Sequence, residues 1–195
     1  MLYIIYIGVY YIIHRYFDIA VQSTGHSYYN DTCQDTVHDF FHERLPDWSE
    51  DEWLTNVIVM LSAIPLIFAN STFLINLICM LIVVYLIRDI TINLTILPKH
   101  KKCKKHEKWY QHITGGCYDK IFSGHFSLTY LLTLFYYSYG IITNIPLLVG
   151  INIVNAFFIL VTRSHYTIDI VMAFFVCSFV FTNNIQIPIP QLFQS

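Results

Sequence analysis

Three polar residues stand where the chain otherwise keeps polarity out. His125 lies in CYDKIFSGHFSLTY (117–130), and His165 and Asp169 lie in RSHYTIDIVMAFF (163–175). His165 and Asp169 are spaced i and i+4, so on a helix they share a face. An unpaired aspartate one turn inside an apolar span costs about 2.5–3.5 kcal/mol on insertion scales, so a partner is expected, and His165 is in reach. A carboxylate that accepts from one imidazole nitrogen fixes the tautomer and leaves the other nitrogen as a base or nucleophile. His125 follows Ser123-Gly124 at the start of another apolar run. A helix beginning there turns free N–H groups and its positive dipole end toward an anion, and the glycine lets a phosphate approach the backbone. Two histidines and an acid near basic residues form a phosphoryl-transfer set, one nucleophile and one general acid/base. Arg163, Lys120 and Arg88 are the candidate cations for phosphate oxygens. Each feature has a plainer use as well. A His–Asp pair can tie helices together, an interfacial histidine can be an anchor, and each cation can snorkel.

The elements that hold these residues follow from composition. Of 195 residues, 55% are hydrophobic and only 12% charged. A soluble domain carries about a quarter charged residues, so a bilayer is the expected solvent. The net charge of −2 gives no reason to expect a nucleic-acid partner. Five cysteines (33, 79, 103, 117, 177) show neither C-x-x-C pairing nor zinc spacing. Crossing a membrane takes roughly 20 mostly apolar residues. The runs at 1–20, 53–70, 72–92, 123–140, 141–163 and 165–184 meet or approach that length. They predict an all-α, integral membrane six-helix bundle in a single domain, 1–195. The first run lacks a basic n-region and a small-residue cleavage site, so it is expected to stay as a span. Tight hairpins are expected at 69–71 and 139–144. Six alternating spans gather loop one (21–52), loop three (93–122) and the residues near Arg163 on one membrane face. Those segments carry nearly all the charge, and the site belongs with them.

Metal chemistry competes for histidines. His38 and His42 in HDFFHE are spaced as a zinc pair, but no third ligand has clear spacing. Loop one is instead expected to form a short amphipathic helix across the mouth of the site, and neither metal nor cofactor is expected. Asn152 and Asn155, inside the fifth span, predict interhelical hydrogen bonds.

SGH followed forty residues later by HYTID resembles the type 2 phosphatidic acid phosphatase superfamily, a six-span helical fold. Within it, the sphingomyelin synthase-related branch of lipid head-group phosphotransferases is the nearer match. That branch reads C-G-D, three residues, then S-G-H. Here Cys117-Tyr118-Asp119 precedes Ser123-Gly124-His125 at the same spacing, and only the glycine differs. The resemblance adds Asp119 to the candidate phosphate-site residues. Arg88 followed by TILP (95–98) and Cys103, and Gln34-Asp35 through Pro46-Asp47, extend it to about residues 30–182. Two departures separate the chain from the phosphatase branch. It has no K-x6-R-P motif before Ser-Gly-His, and Ile159 stands where that branch has arginine.

The resemblance implies transfer of a phospho-head group, choline or ethanolamine, from a glycerophospholipid to ceramide or diacylglycerol through a phospho-histidine. It also implies an endomembrane (Golgi or endoplasmic reticulum) or plasma-membrane location. A hydrolase using water as acceptor and a non-catalytic membrane protein are the alternatives. Sidedness divides the arguments. The lysines of KHKKCKKHEK (99–108) pull the charged loops to the cytosol by positive-inside counting, and the resemblance places them exoplasmically.

Overall fold

The structure is a computed structural model, and it describes residues 2–29, 37–98, 118 and 120–185. Among the described residues six α-helices follow in order: α1 (Leu2–Tyr29), α2 (Trp53–Ala63), α3 (Ser71–Leu94), α4 (Gly124–Ser138), α5 (Ile145–Val161) and α6 (Thr167–Thr182). There is no strand among the described residues, so the fold is all-α.

Local chemistry sets the helix ends. Pro65 has no N–H to donate, and α2 continues through Ile64–Phe68 as a 3-10 segment. At the first tight hairpin, the Asn70 side chain accepts from the Phe73 N–H at 2.8 Å and starts α3. At the second, Gly140 takes a positive φ of 70°, and Asn144 caps α5 by accepting from the Leu147 N–H. Both hairpins fall where the sequence places them. The first helix does not end near residue 20, as expected, but runs to Tyr29. Its polar last turns find partners: the Tyr29 hydroxyl donates to the Ile96 carbonyl at 2.9 Å, and its ring stacks on Tyr118.

α4 is the central helix, packed against α2, α3, α5 and α6, with α1 lying on α3. The core between them is apolar and closely packed. Phe73, Leu77, Val84, Leu131, Leu132, Phe135, Ile159, Ala173, Cys177 and Val180 are all buried. Asn155 is fully buried, and Asn152 bridges α5 to α4 through the Thr133 hydroxyl at 2.8 Å. Outside this core the polarity inverts. Ile12, Met60, Ile67, Phe68, Ile153, Phe175 and Phe179 are among many exposed large apolar side chains, which water would not tolerate as a continuous surface. Ile4–Ser27 and Ser71–Leu94 are long and apolar enough to cross a membrane; the apolar helices Trp53–Phe68, Ile145–Val161 and Thr167–Thr182 are shorter. These features are compatible with a membrane protein.

Candidate active site

His165 precedes α6 by two residues, in the corner between α5 and α6. The pairing with Asp169 forms, but not by helical spacing alone. Asp169 is the third residue of α6, and its Oδ2 accepts the Tyr166 N–H at 2.8 Å, capping the helix. The same oxygen lies 3.3 Å from His165 Nδ1. The carbonyl of Lys120 also lies 3.3 Å from Nδ1. Both neighbours can only accept, so the proton of the neutral ring sits on Nδ1 and Nε2 keeps the lone pair. Asp169 is fully buried, and its Oδ1 has no hydrogen-bond partner among the described residues.

His125 is the second residue of α4, half-buried, with its ring centroid 6.5 Å from that of His165 and the planes at 62°. A tetrahedral centre between the rings can lie about 3 Å from a nitrogen of each, as a shuttle of one phosphorus and one proton requires. Ser123 builds the turn. Its Oγ accepts the Phe126 N–H at 3.2 Å, and its own N–H donates to the Asp169 carbonyl at 3.3 Å. That last bond ties the two histidine-bearing turns together. Gly124 has a different use from the open approach expected of it. A Cβ there would meet Tyr85 Cε1 at 3.3 Å and Arg88 Nε at 3.5 Å, so its missing side chain makes room for α3.

The expected cations divide. Lys120 is buried, and its Nζ donates to the Ser164 carbonyl at 2.5 Å, one residue from His165. Arg88 is buried and donates from Nε to the Phe122 carbonyl at 3.1 Å, beside Ser123. These two converge with Ser123, Gly124, His125, His165 and Asp169. Arg163 has a left-handed backbone (φ 59°) and holds three carbonyls, those of Leu160, His42 and Leu45, at 2.8–3.0 Å. Its visible work is to clamp loop one to the α5–α6 corner. Asp119 lies outside the described residues.

Loop one reaches the site, though not as the amphipathic helix expected. Residues 40–45 form a turn, and Asp39 organises it. Asp39 Oδ1 accepts the N–H groups of Phe41 (3.1 Å) and His42 (3.0 Å) and the Thr167 hydroxyl (2.8 Å); Oδ2 accepts the Thr167 N–H (2.6 Å). One carboxylate thus ends the loop and begins α6. Burial opposes its charge, but the donors from Thr167 and His42 outweigh it and hold its pKa below the usual carboxylate value. His38 and His42 go to different partners: His38 meets Glu43 at 2.5 Å, and His42 Nε2 lies 3.0 Å from the His165 carbonyl. Among the described residues no cluster of three or more His, Cys, Asp or Glu could hold a metal ion.

The sequence reading also missed Asn56 on α2. Its Oδ1 lies 2.9 Å from His125 Nε2, an acceptor that keeps a proton on that nitrogen. Asn155, expected only to join helices, donates to the His125 carbonyl at 3.3 Å.

Residues 116–185 match the family model described as PAP2 superfamily C-terminal. The matched stretch holds both histidines, Asp169 and all of α4, α5 and α6. It supports the type 2 phosphatidic acid phosphatase superfamily, whose members are generally phosphatases or phosphotransferases acting on lipids. No curated protein matches the chain.

Proposed function

We propose that the chain is a lipid head-group phosphotransferase of the sphingomyelin synthase type. The observation that carries this reading is the His165 ring, fixed at Nδ1 by Asp169 and the Lys120 carbonyl and facing His125 at 6.5 Å between centroids. In the first step His165 Nε2 attacks the phosphorus of a glycerophospholipid. The bond to the diacylglycerol oxygen breaks, and His125 gives that oxygen a proton. A phospho-histidine carrying the head group remains. In the second step His125 takes the proton of an acceptor hydroxyl, most simply ceramide's primary alcohol. That oxygen displaces the histidine, and His165 is restored. Asp169 and the Lys120 carbonyl stabilise the positive charge that grows on the imidazole during attack. Lys120 and Arg88 are the cations this reading assigns to phosphate oxygens, and the scheme needs no metal.

Transfer is favoured over hydrolysis by the Cys117-to-His125 pattern and by the missing phosphatase-branch motifs. The hydrolase reading has the broader superfamily match in its favour. In this reading the substrates reach the site from the membrane, and the site faces the lumen or the cell exterior. The test supplies head-group-labelled phosphatidylcholine or phosphatidylethanolamine to membranes containing the protein, with and without ceramide. Diacylglycerol and a phosphosphingolipid should form in equal amounts. Diacylglycerol formed equally fast without ceramide refutes transfer and leaves hydrolysis.

A further inference from the structure

A second histidine–aspartate pair lies behind the site, between α1 and α3. His14 Nδ1 is 2.9 Å from Asp89 Oδ1, and the Asp89 side chain is only 2% exposed. The same oxygen is 3.7 Å from the Arg88 guanidinium. Asp89 Oδ2 is buried with no hydrogen-bond partner among the described residues. A half-satisfied buried carboxylate is a costly way to join two helices, which leucine could join at no such cost. What distinguishes this place is its neighbour. The Arg88 Nε–H that donates to the Phe122 carbonyl belongs to the same guanidinium, and Phe122 immediately precedes Ser123-Gly124-His125. Gly124 has no side chain where Arg88 and Tyr85 press against it, and the Tyr85 hydroxyl donates to the Gly124 carbonyl at 3.2 Å. Tyr85 in turn packs on Tyr10, whose ring stacks on His14. Polar and aromatic contacts therefore run unbroken from α1 to the turn that presents His125.

We propose that His14 and Asp89 are positioning residues for Arg88, and that α1 is thereby a working part of the anion site. This inference rests on reading Arg88 as a phosphate ligand. His14 fixes the Asp89 carboxylate, the carboxylate holds the guanidinium across the Phe122 carbonyl, and that carbonyl directly precedes Ser123 at the N-terminus of α4, where an anion is favoured. Without His14 the carboxylate turns, and the guanidinium follows it.

The test uses the full chain, purified in detergent, with two readouts. One is turnover of labelled phospholipid. The other is binding of orthovanadate, a phosphate mimic, followed through its effect on the melting temperature. His14→Gln and Asp89→Asn should each lower kcat and weaken vanadate about tenfold, the size typical when the outer partner of a site residue is removed. Tyr16→Phe, exposed on the same helix, should change neither. In an Arg88→Met background His14→Gln should cost nothing further, because its effect passes through Arg88. If His14 merely fastened α1 to the bundle, its loss would repeat in full in that background, and the proposal fails. It fails equally if the wild-type chain binds no vanadate, or if His14→Gln binds it as tightly as wild type. A wild type that binds vanadate but turns over no lipid refutes the functional reading alone, and the vanadate comparison still decides this one.

Discussion

Replacing Asp39 with asparagine exchanges one carboxylate oxygen for an NH2 group and leaves the shape nearly unchanged. The four hydrogen bonds it accepts include two from Thr167, the first residue of α6. Asparagine can keep its oxygen toward Phe41, His42 and the Thr167 hydroxyl, which puts its NH2 against the Thr167 N–H. Two donors then face each other in a buried place, where a lost bond to a charged group is worth about 1.5–3 kcal/mol. We expect a loss of about 2–3 kcal/mol in stability. For a chain of this size each kcal/mol lowers Tm by about 2–4 °C, so the variant should melt roughly 4–12 °C lower in detergent. Activity should fall as well, because the same turn sets His42 against the His165 carbonyl. The acid limb gives a second check. The folded pKa of Asp39 is depressed, so its stabilisation is complete above the ordinary carboxylate value, about 4, and is lost as pH falls through the folded value below it. Wild type should therefore lose stability in that window faster than Asp39→Asn does. A variant that melts within a degree of wild type and shows the same acid limb refutes the assignment of Asp39 as the organiser of this corner.

Alanine at His125, His165 or Asp169 should abolish head-group transfer while expression and insertion continue, and double variants should be scarcely worse than single ones. Substantial activity in Asp169→Ala would contradict its role in orienting His165. Asn56→Leu removes the acceptor at His125 Nε2 and should reduce kcat on the order of 10²-fold, near the lower bound for a general acid/base contribution, with a shifted pH–rate profile. An unchanged pH profile would leave Asn56 a packing residue. An exoplasmic site predicts that any glycan found in a eukaryotic cell sits on Asn30 and not on Asn70, and that a C-terminal tag is reached only after permeabilisation. Labelling of that tag on intact cells would place the site in the cytosol.

The helices were legible because their signal is coarse. A run of apolar residues broken by Asn70 or by Gly140 through Asn144 announces a hairpin whatever the side chains later touch, and the caps at Asn70, Ser123 and Asn144 are local chemistry. The length of α1 was not legible. Its last turns, Val21 to Tyr29, are polar by composition and are held by Ile92, Ile96 and Tyr118, which are distant in sequence. The His165–Asp169 pair was found for a reason only partly right. The spacing suggested a shared helical face, but the structure places His165 ahead of the helix and brings the ring to the carboxylate through the cap.

His165 and Asp39 show where such reading stops. In an apolar run a histidine or an acid is conspicuous, since the cost of burying it demands an account. Asp39 bears as directly on the α6 N-terminus as Asp169 does, yet it lies in a loop crowded with acids and histidines, where nothing marks one carboxylate from another. Its signal was a weaker one: an aspartate whose carboxylate can accept the backbone N–H groups two and three residues on, the local turn such side chains favour. That pattern explains Phe41 and His42, but not Thr167, 128 residues away. Asn56 is hidden in the same manner, because one amide on an apolar helix reads as a helix-joining polar residue until His125 is seen opposite it. Arg163 is the converse case. It has the right charge two residues before His165, but its guanidinium is engaged with carbonyls of loop one and α5. Charge and spacing nominate phosphate ligands; only the count of donors already engaged distinguishes a ligand from a clamp. By that count Arg163 is the clamp that joins loop one to the α5–α6 corner.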